Sequence, residues 1–452
     1  MADDDDRSPE DQFQELMRQL FGASGANLDP EQLSRLSGLQ IDPGMMSTVM
    51  QHLQSAFAGA GSGGISWDLA KRQALHIANQ EGLSITDGQQ STTGDAFQLA
   101  GLWLGAATTI SELTETPRTM TRGQWVEATL PVWQELAEPV ATSIADALTE
   151  VLREQAPEEL SGMLANAGQL MRNVGGTLFA MQLGHVVGQL STEVVSGGDI
   201  GIPLLGASAS SSEHQAAIVA QNVAAFGEGL DIAADQVQLY LSVRELAHAR
   251  LFRHAKWLRL QLMTSITEYA RGIHIDTEPL QDLAADLDPS NPEQLREALA
   301  SGALIPPKSD AQIAALAKLE TLLALIEGWV DVVTAQATTR LPSSGAIAEM
   351  VRRRRAAGGP AESAFATLVG LELRPRRLRE AAAMWQKVTD AVGAEKRDSL
   401  WSHPDLLPAS DDVDNPDALV ARLTDTEPQL DDIDRAIEDL LGDESGDRPH
   451  EA

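Results

Sequence analysis

V-R-E-L-A-H-A-R-L-F-R-H, residues 243–254, differs by one letter from a helical zinc-binding pattern. That pattern is H-E-x-x-H. Two histidines at i and i+4 share a helix face and bind the metal, and the glutamate serves as general base. Here Glu245 and His248 hold the second and fifth places, and Arg244 holds the first. A guanidinium stays protonated and has no lone pair to give a metal. The stretch is either the remnant of a metal site or a site that holds metal in another way. Taken alone, R-E-x-x-H is also an ordinary i,i+4 cluster on a helix surface.

The flanking residues favour burial. Val243, Leu246, Ala247, Leu251 and Leu258 are apolar on successive turns. Charges on a buried helix need partners, because an unpaired buried charge is costly. Arg244, Glu245 and His248 are expected to share one face and to meet such partners.

Working outward, the 452-residue chain is 43% hydrophobic, long enough for two or three domains and a sizeable core. Apolar residues recur at helical spacing, which predicts a mainly α fold with few or no strands. The net charge is −33. Nucleic acid and anionic membrane surfaces are therefore not expected partners. From 405 to 452 there are 16 acidic and 3 basic residues, an acidic tail. Cysteine is absent, which excludes disulfides, thiolate ligands and a cysteine nucleophile. The acidic N-terminus does not read as a secretory signal, and no apolar run reaches the ~20 residues of a membrane span. The expectation is a cytoplasmic protein.

Three regions are expected. Residues 1–64 form an acidic, Gly-rich appendage with a short helix at 13–21, closing on G-A-G-S-G-G at 59–64. Residues 65–408 form a helical body. Residues 409–452 are the acidic tail, with one amphipathic stretch at 430–441. Within the body, helical periodicity marks 67–81, 96–113, 125–155, 157–190, 235–272, 310–338, 344–356, 363–369 and 376–393. The stretch 192–205 is Gly-rich and β-branched, and reads as a short strand or loop.

Seven segments, one of them around the opening stretch, appear in a fixed order: N-V-A-A-F-G-E-G-L (222–230), L-Y-L-S-V-R-E-L-A-H-A-R-L-F (239–252), E-Y-A-R-G-I (268–273), L-L-A-L-I-E-G-W-V-D (322–331), G-G-P-A-E (358–362), L-V-G-L-E-L-R-P-R-R-L-R-E-A (368–381) and L-W-S-H-P-D-L-L-P (400–408). Together they resemble the zincin-like metallopeptidase type 2 family, zinc-dependent hydrolases widespread in actinobacteria, over about 65–408. The resemblance implies a zincin-like helical fold and zinc as cofactor. Glu245 would be the base, His248 a ligand, and Glu327 of I-E-G-W a third-ligand candidate. It also marks two substitutions at the site, Arg244 for the first histidine and Trp329 for the histidine of an E-G-H segment. A catalytic zinc keeps three protein ligands, and two remain here. Two functions stay open: a hydrolase with a degenerate motif, or a non-catalytic scaffold on the same fold that binds a peptide or protein.

Removing the metal would leave Glu245 and Glu327 facing each other. Arg244 is expected to neutralise both. Asp331, one turn after Glu327, could extend the carboxylate pair. Arg352–Arg355, with Arg374, Arg376, Arg377 and Arg379, is the basic concentration. It is expected to receive the acidic tail.

Overall fold

The computed structural model describes residues 65–154, 161–206, 215–272, 308–356 and 377–425. Packing divides the chain into two units, Met1–Gly64 with Gly162–Gly175 and Ile65–Ser161 with Gly176–Ala452. The side-chain contacts below all belong to the second. The helices expected at 13–21, 363–369 and 430–441 lie outside the described residues, as do Arg374 and Arg376.

The architecture is mainly α. Helices α1 (Trp67–Gln80), α2 (Asp87–Leu104), α3 (Arg122–Glu154) and α4 (Ser161–Glu193) come first. A short α5 (Ala220–Gly227) precedes α6 (Ala234–His254) and α7 (Trp257–Arg271). Then follow α8 (Asp310–Ala337), α9 (Ser344–Ala356), α10 (Leu378–Ser399), α11 (Ser410–Asp414) and α12 (Pro416–Thr424). Two three-residue strands, β1 (Arg118–Met120) and β2 (Ala217–Val219), pair in parallel with Thr119 opposite Ile218. Among the described residues no helix is long and apolar enough to cross a membrane.

Local chemistry explains several boundaries. Thr86 and Gln89 form a capping box that starts α2 at Asp87, well before the 96 expected from apolar spacing. Ser309 and Gln312 do the same for α8. The single helix expected over 235–272 is two. Ala255 leaves helical geometry at φ −95°, ψ 67°, and its N–H still bonds Leu251. Neither glycine nor proline marks this break. Tertiary packing holds it: Ala255 is fully buried, and the Trp257 indole N–H donates to the carbonyl of Trp401.

Helices α6 and α8 occupy the middle. Every residue from Leu239 to Phe252 is buried, and so is every residue from Leu322 to Thr334. A helix buried all round belongs at the centre of a helical body. Helix α8 packs against α10, α7, α6, α2 and α9, while α6 packs chiefly against α2 and α8. The body also continues past Pro408, the boundary expected for the tail. Val413 of α11 and Leu419 of α12 are buried, and Lys387 of α10 pairs with Asp417 at 2.6 Å.

Candidate functional site

Arg244 and His248 lie one turn apart on α6 and point at α8. There Glu327 receives both. The Arg244 guanidinium donates to Glu327 Oε2, and His248 Nε2 stands 3.0 Å from Glu327 Oε1. A third group arrives from α9, where Arg355 Nη1 lies 2.8 Å from the same Oε1. All four side chains are buried or nearly so. Burial alone would raise the Glu327 carboxyl, but Arg355, Arg244 and His248 outweigh it and hold it well below the usual carboxylate range.

The imidazole of His248 is pushed down, first by burial and then by Arg244 and Arg355, against the pull of Glu327. A neutral ring carries one N–H. Its Nδ1 stands 3.1 Å from the Arg244 carbonyl and its Nε2 faces the carboxylate. Both neighbours are acceptors, so a neutral ring bonds one of them. The ionised carboxylate is the stronger acceptor, which assigns the proton to Nε2 and leaves Nδ1 facing the carbonyl without a bond. In that tautomer Nε2 offers a metal no lone pair.

Glu245 takes a different direction. Successive residues on a helix diverge by about 100°, so Glu245 leaves the Arg244–His248 face and turns toward β2 and the 194–205 loop. Its Oε1 accepts the Ala217 N–H at 2.9 Å and its Oε2 the Gly198 N–H at 2.8 Å. Burial pushes its carboxyl up to about 7, against these two donors and the Ser196 side chain. The expectation that Arg244 neutralises both glutamates is therefore corrected. Arg244 meets Glu327, and backbone amides hold Glu245.

The 194–205 stretch lies across the site. Ser196 forms an antiparallel bridge with Ile218 of β2. A Cβ on Gly198 would come within 2.6 Å of His248 Cβ, so only glycine lets the backbone approach that closely. Gly201 turns the chain at φ +75°, and a Cβ there would sit 2.8 Å from Glu327 Oε1. Between them Asp199 is clamped. Its Oδ2 accepts from Val195 N–H at 3.0 Å and pairs with Arg354 Nη1 at 3.1 Å. Arg355 Nη2 donates to its backbone carbonyl. Burial opposes the Asp199 charge, but Arg354 and Arg355 hold the carboxyl below its ordinary value.

Trp329 does not enter this site. Two residues past Glu327 is more than half a turn around α8. Its indole N–H donates to Asp398 Oδ1 at 3.0 Å, and its ring meets Trp401 edge-on at 6.4 Å. It is a core residue, fully buried in a network with Arg397 and Asp398. A histidine at 329 would not reach His248, so Trp329 is not a replaced ligand of this centre.

Asp331 extends the polar seam but pairs with Arg352 at 3.2 Å. The run Arg352–Arg355 is paired within the body. Arg353 meets Glu349 at 2.9 Å, Arg354 meets Asp199 and Arg355 meets Glu327. Arg377 does meet the expected tail, at Asp414 of α11, and residues 426–452 lie outside the described residues. Sequence reasoning passed over Arg355 and Asp199 as site residues, and saw 192–205 only as a strand or loop. The closely spaced glycines at 197, 198 and 201 were the available signal, since they permit close backbone approach.

Zinc does not fit these residues. Its first ligand position carries a guanidinium, His248 Nε2 is committed to Glu327, and both oxygens of Glu327 face arginines. Among the described residues no group of three or more histidines, aspartates or glutamates is disposed to hold a metal ion.

The chain resembles known proteins in two ways. A solved structure, a candidate hydrolase of novel fold from Chloroflexus aurantiacus, superposes with a TM-score of 0.53 at 20% sequence identity. The match covers 80% of this chain and 100% of that one, and it supports the fold. No curated protein matches the chain. The family model described as zincin-like metallopeptidase matches residues 65–420, which hold α6, α8, the 194–205 loop and the arginine run. This chain belongs to the zincin-like metallopeptidase family.

Proposed function

We propose that this protein is a non-hydrolytic member of its family. It acts as a peptide- or protein-binding scaffold, with the family's reaction centre turned into an internal ion-paired core. One observation carries this reading: Arg244 and Arg355 engage the two carboxylate oxygens of Glu327.

Access argues the same way. Amide hydrolysis needs a water, a base and a substrate carbonyl in one place. Each oxygen of Glu245 accepts a backbone N–H from the segments that cover it. The cavity beside it is lined by Gly197, Gly198, Pro203, Gln215, Glu245 and Phe252, and measures about 10 Å³. That is room for about one water. The net charge of −33 disfavours nucleic acid and anionic lipid as partners.

The hydrolytic reading keeps one supporting observation. A carboxyl pushed up to about 7 beside a cavity suits a general base. A mixed peptide library with added zinc separates the two readings. The scaffold reading expects no cleavage by the parent chain and no difference from Glu245→Gln. Zinc-dependent cleavage that disappears in Glu245→Gln would establish a hydrolase.

A further inference from the structure

We propose that Arg244 and Arg355 together stand in for a divalent cation at Glu327, and that Arg355 by itself suffices to keep metal out. The inference rests on the metal-free reading above and adds a second residue to it.

The charges carry the argument. One guanidinium would neutralise Glu327, yet two converge on it from different helices, α6 and α9. Arg355 is not borrowed from a surface pair. Its three predecessors each have a carboxylate of their own, Asp331, Glu349 and Asp199. Arg355 alone in the run reaches Glu327, with Asp199 more distant at 4.0 Å. Both arginines keep a buried Nε–H with no partner among the described residues. Such orphans are costly. Their placement therefore serves the charge at Glu327 rather than hydrogen-bond saturation.

Two guanidiniums at one carboxylate deliver the charge of one divalent ion. His248 completes the picture, since its Nε2 shares Glu327 Oε1 with Arg355. Nε2 and that oxygen are 3.0 Å apart, as close as two ligands of one ion. Arg355 lies against the same oxygen, so Arg244→His alone would leave a fixed cation beside any incoming metal.

The test uses full-length protein without a histidine tag, titrated with zinc and, as a spectroscopic probe, with cobalt. The variants are Arg244→His, Arg355→Met and the two combined. The proposal expects no specific site in the parent or in either single variant. The combined variant should bind one zinc per chain at a concentration roughly tenfold or more below any weak uptake by Arg244→His, on the scale of a disturbed metal shell. Its melting temperature should rise with zinc, and His248→Ala should remove the site. Arg244→His binding as tightly as the combined variant would overturn the role of Arg355. A combined variant that melts cooperatively but binds no zinc would overturn the cation replacement. Should it fail to fold, Arg244→His with Arg355→Gln is titrated instead. Failure of both to fold with zinc present also counts against the proposal, because the metal should supply the missing charge. Zinc held by the parent chain would instead sink the metal-free reading on which the inference rests.

Discussion

Arg355 Nη1 lies 2.8 Å from Glu327 Oε1, and Arg244 holds the other oxygen of the same buried carboxylate. Removing Arg244 leaves Arg355 on Glu327 but takes the buried donor from Oε2. Arg244→Ala is expected to cost roughly 3–5 kcal/mol, as breaking one side of a buried pair does. Arg353→Ala is the control, since Arg353 is 76% exposed and among the described residues pairs with Glu349 on its own helix. Urea or thermal melts of the two variants give the comparison. An Arg244→Ala melt that overlays the parent would mean the pair is dispensable.

Glu245 and Glu327 should impose opposite pH slopes on stability. The folded carboxyl of Glu327 is depressed, so its stabilisation is present above its ordinary value and is lost as pH falls below it. Glu245 is raised to about 7. Its folded form keeps a proton that the unfolded chain releases, so stability falls as pH rises from about 4.5 to about 7. The loss is on the order of 3 kcal/mol at most. His248 works the other way, since a depressed histidine costs stability as pH falls below its ordinary value. Subtracting the pH profile of Glu245→Gln from the parent isolates Glu245. Parallel profiles between pH 5 and 7.5 would remove the shift.

The glycine contacts predict a local, asymmetric response. Gly198→Ala should destabilise by about 1–3 kcal/mol, the usual scale of overpacking, because its Cβ would collide with His248. Gly94→Ala meets nothing within 4 Å on an exposed face of α2. It should stabilise by roughly 0.5–1 kcal/mol, the helix advantage of alanine. Equal effects at both positions would mean the loop gives way.

Trp329 should behave as core. Trp329→Phe removes the N–H that Asp398 accepts and is expected to cost about 1–3 kcal/mol, with no change in zinc affinity in any Arg244 background. A gain in zinc binding on Trp329→His would place residue 329 in the site after all.

Much of the fold was legible because it is periodic. Helices α8 and α9 follow their apolar spacing and start at recognisable polar residues. The break between α6 and α7 was not legible, because Ala255 is a good helix former and the contacts that bend the chain there come from distant elements. At the site, the motif marked Arg244, Glu245 and His248, and the I-E-G-W segment marked Glu327. What it could not supply was direction. Arg244 and Glu245 part by a fraction of a turn, and Trp329 turns away from Glu327 for the same reason. Arg355 was hidden in plain view, because four consecutive arginines fan around a helix and only tertiary packing decides which carboxylate each one finds.

Guanidiniums, not a metal, satisfy Glu327. The most direct measurement is the zinc content of the untagged parent protein after exposure to zinc and mild dialysis. Well under one zinc per chain is expected, unchanged in His248→Ala. One zinc per chain, lost in His248→Ala, would contradict it.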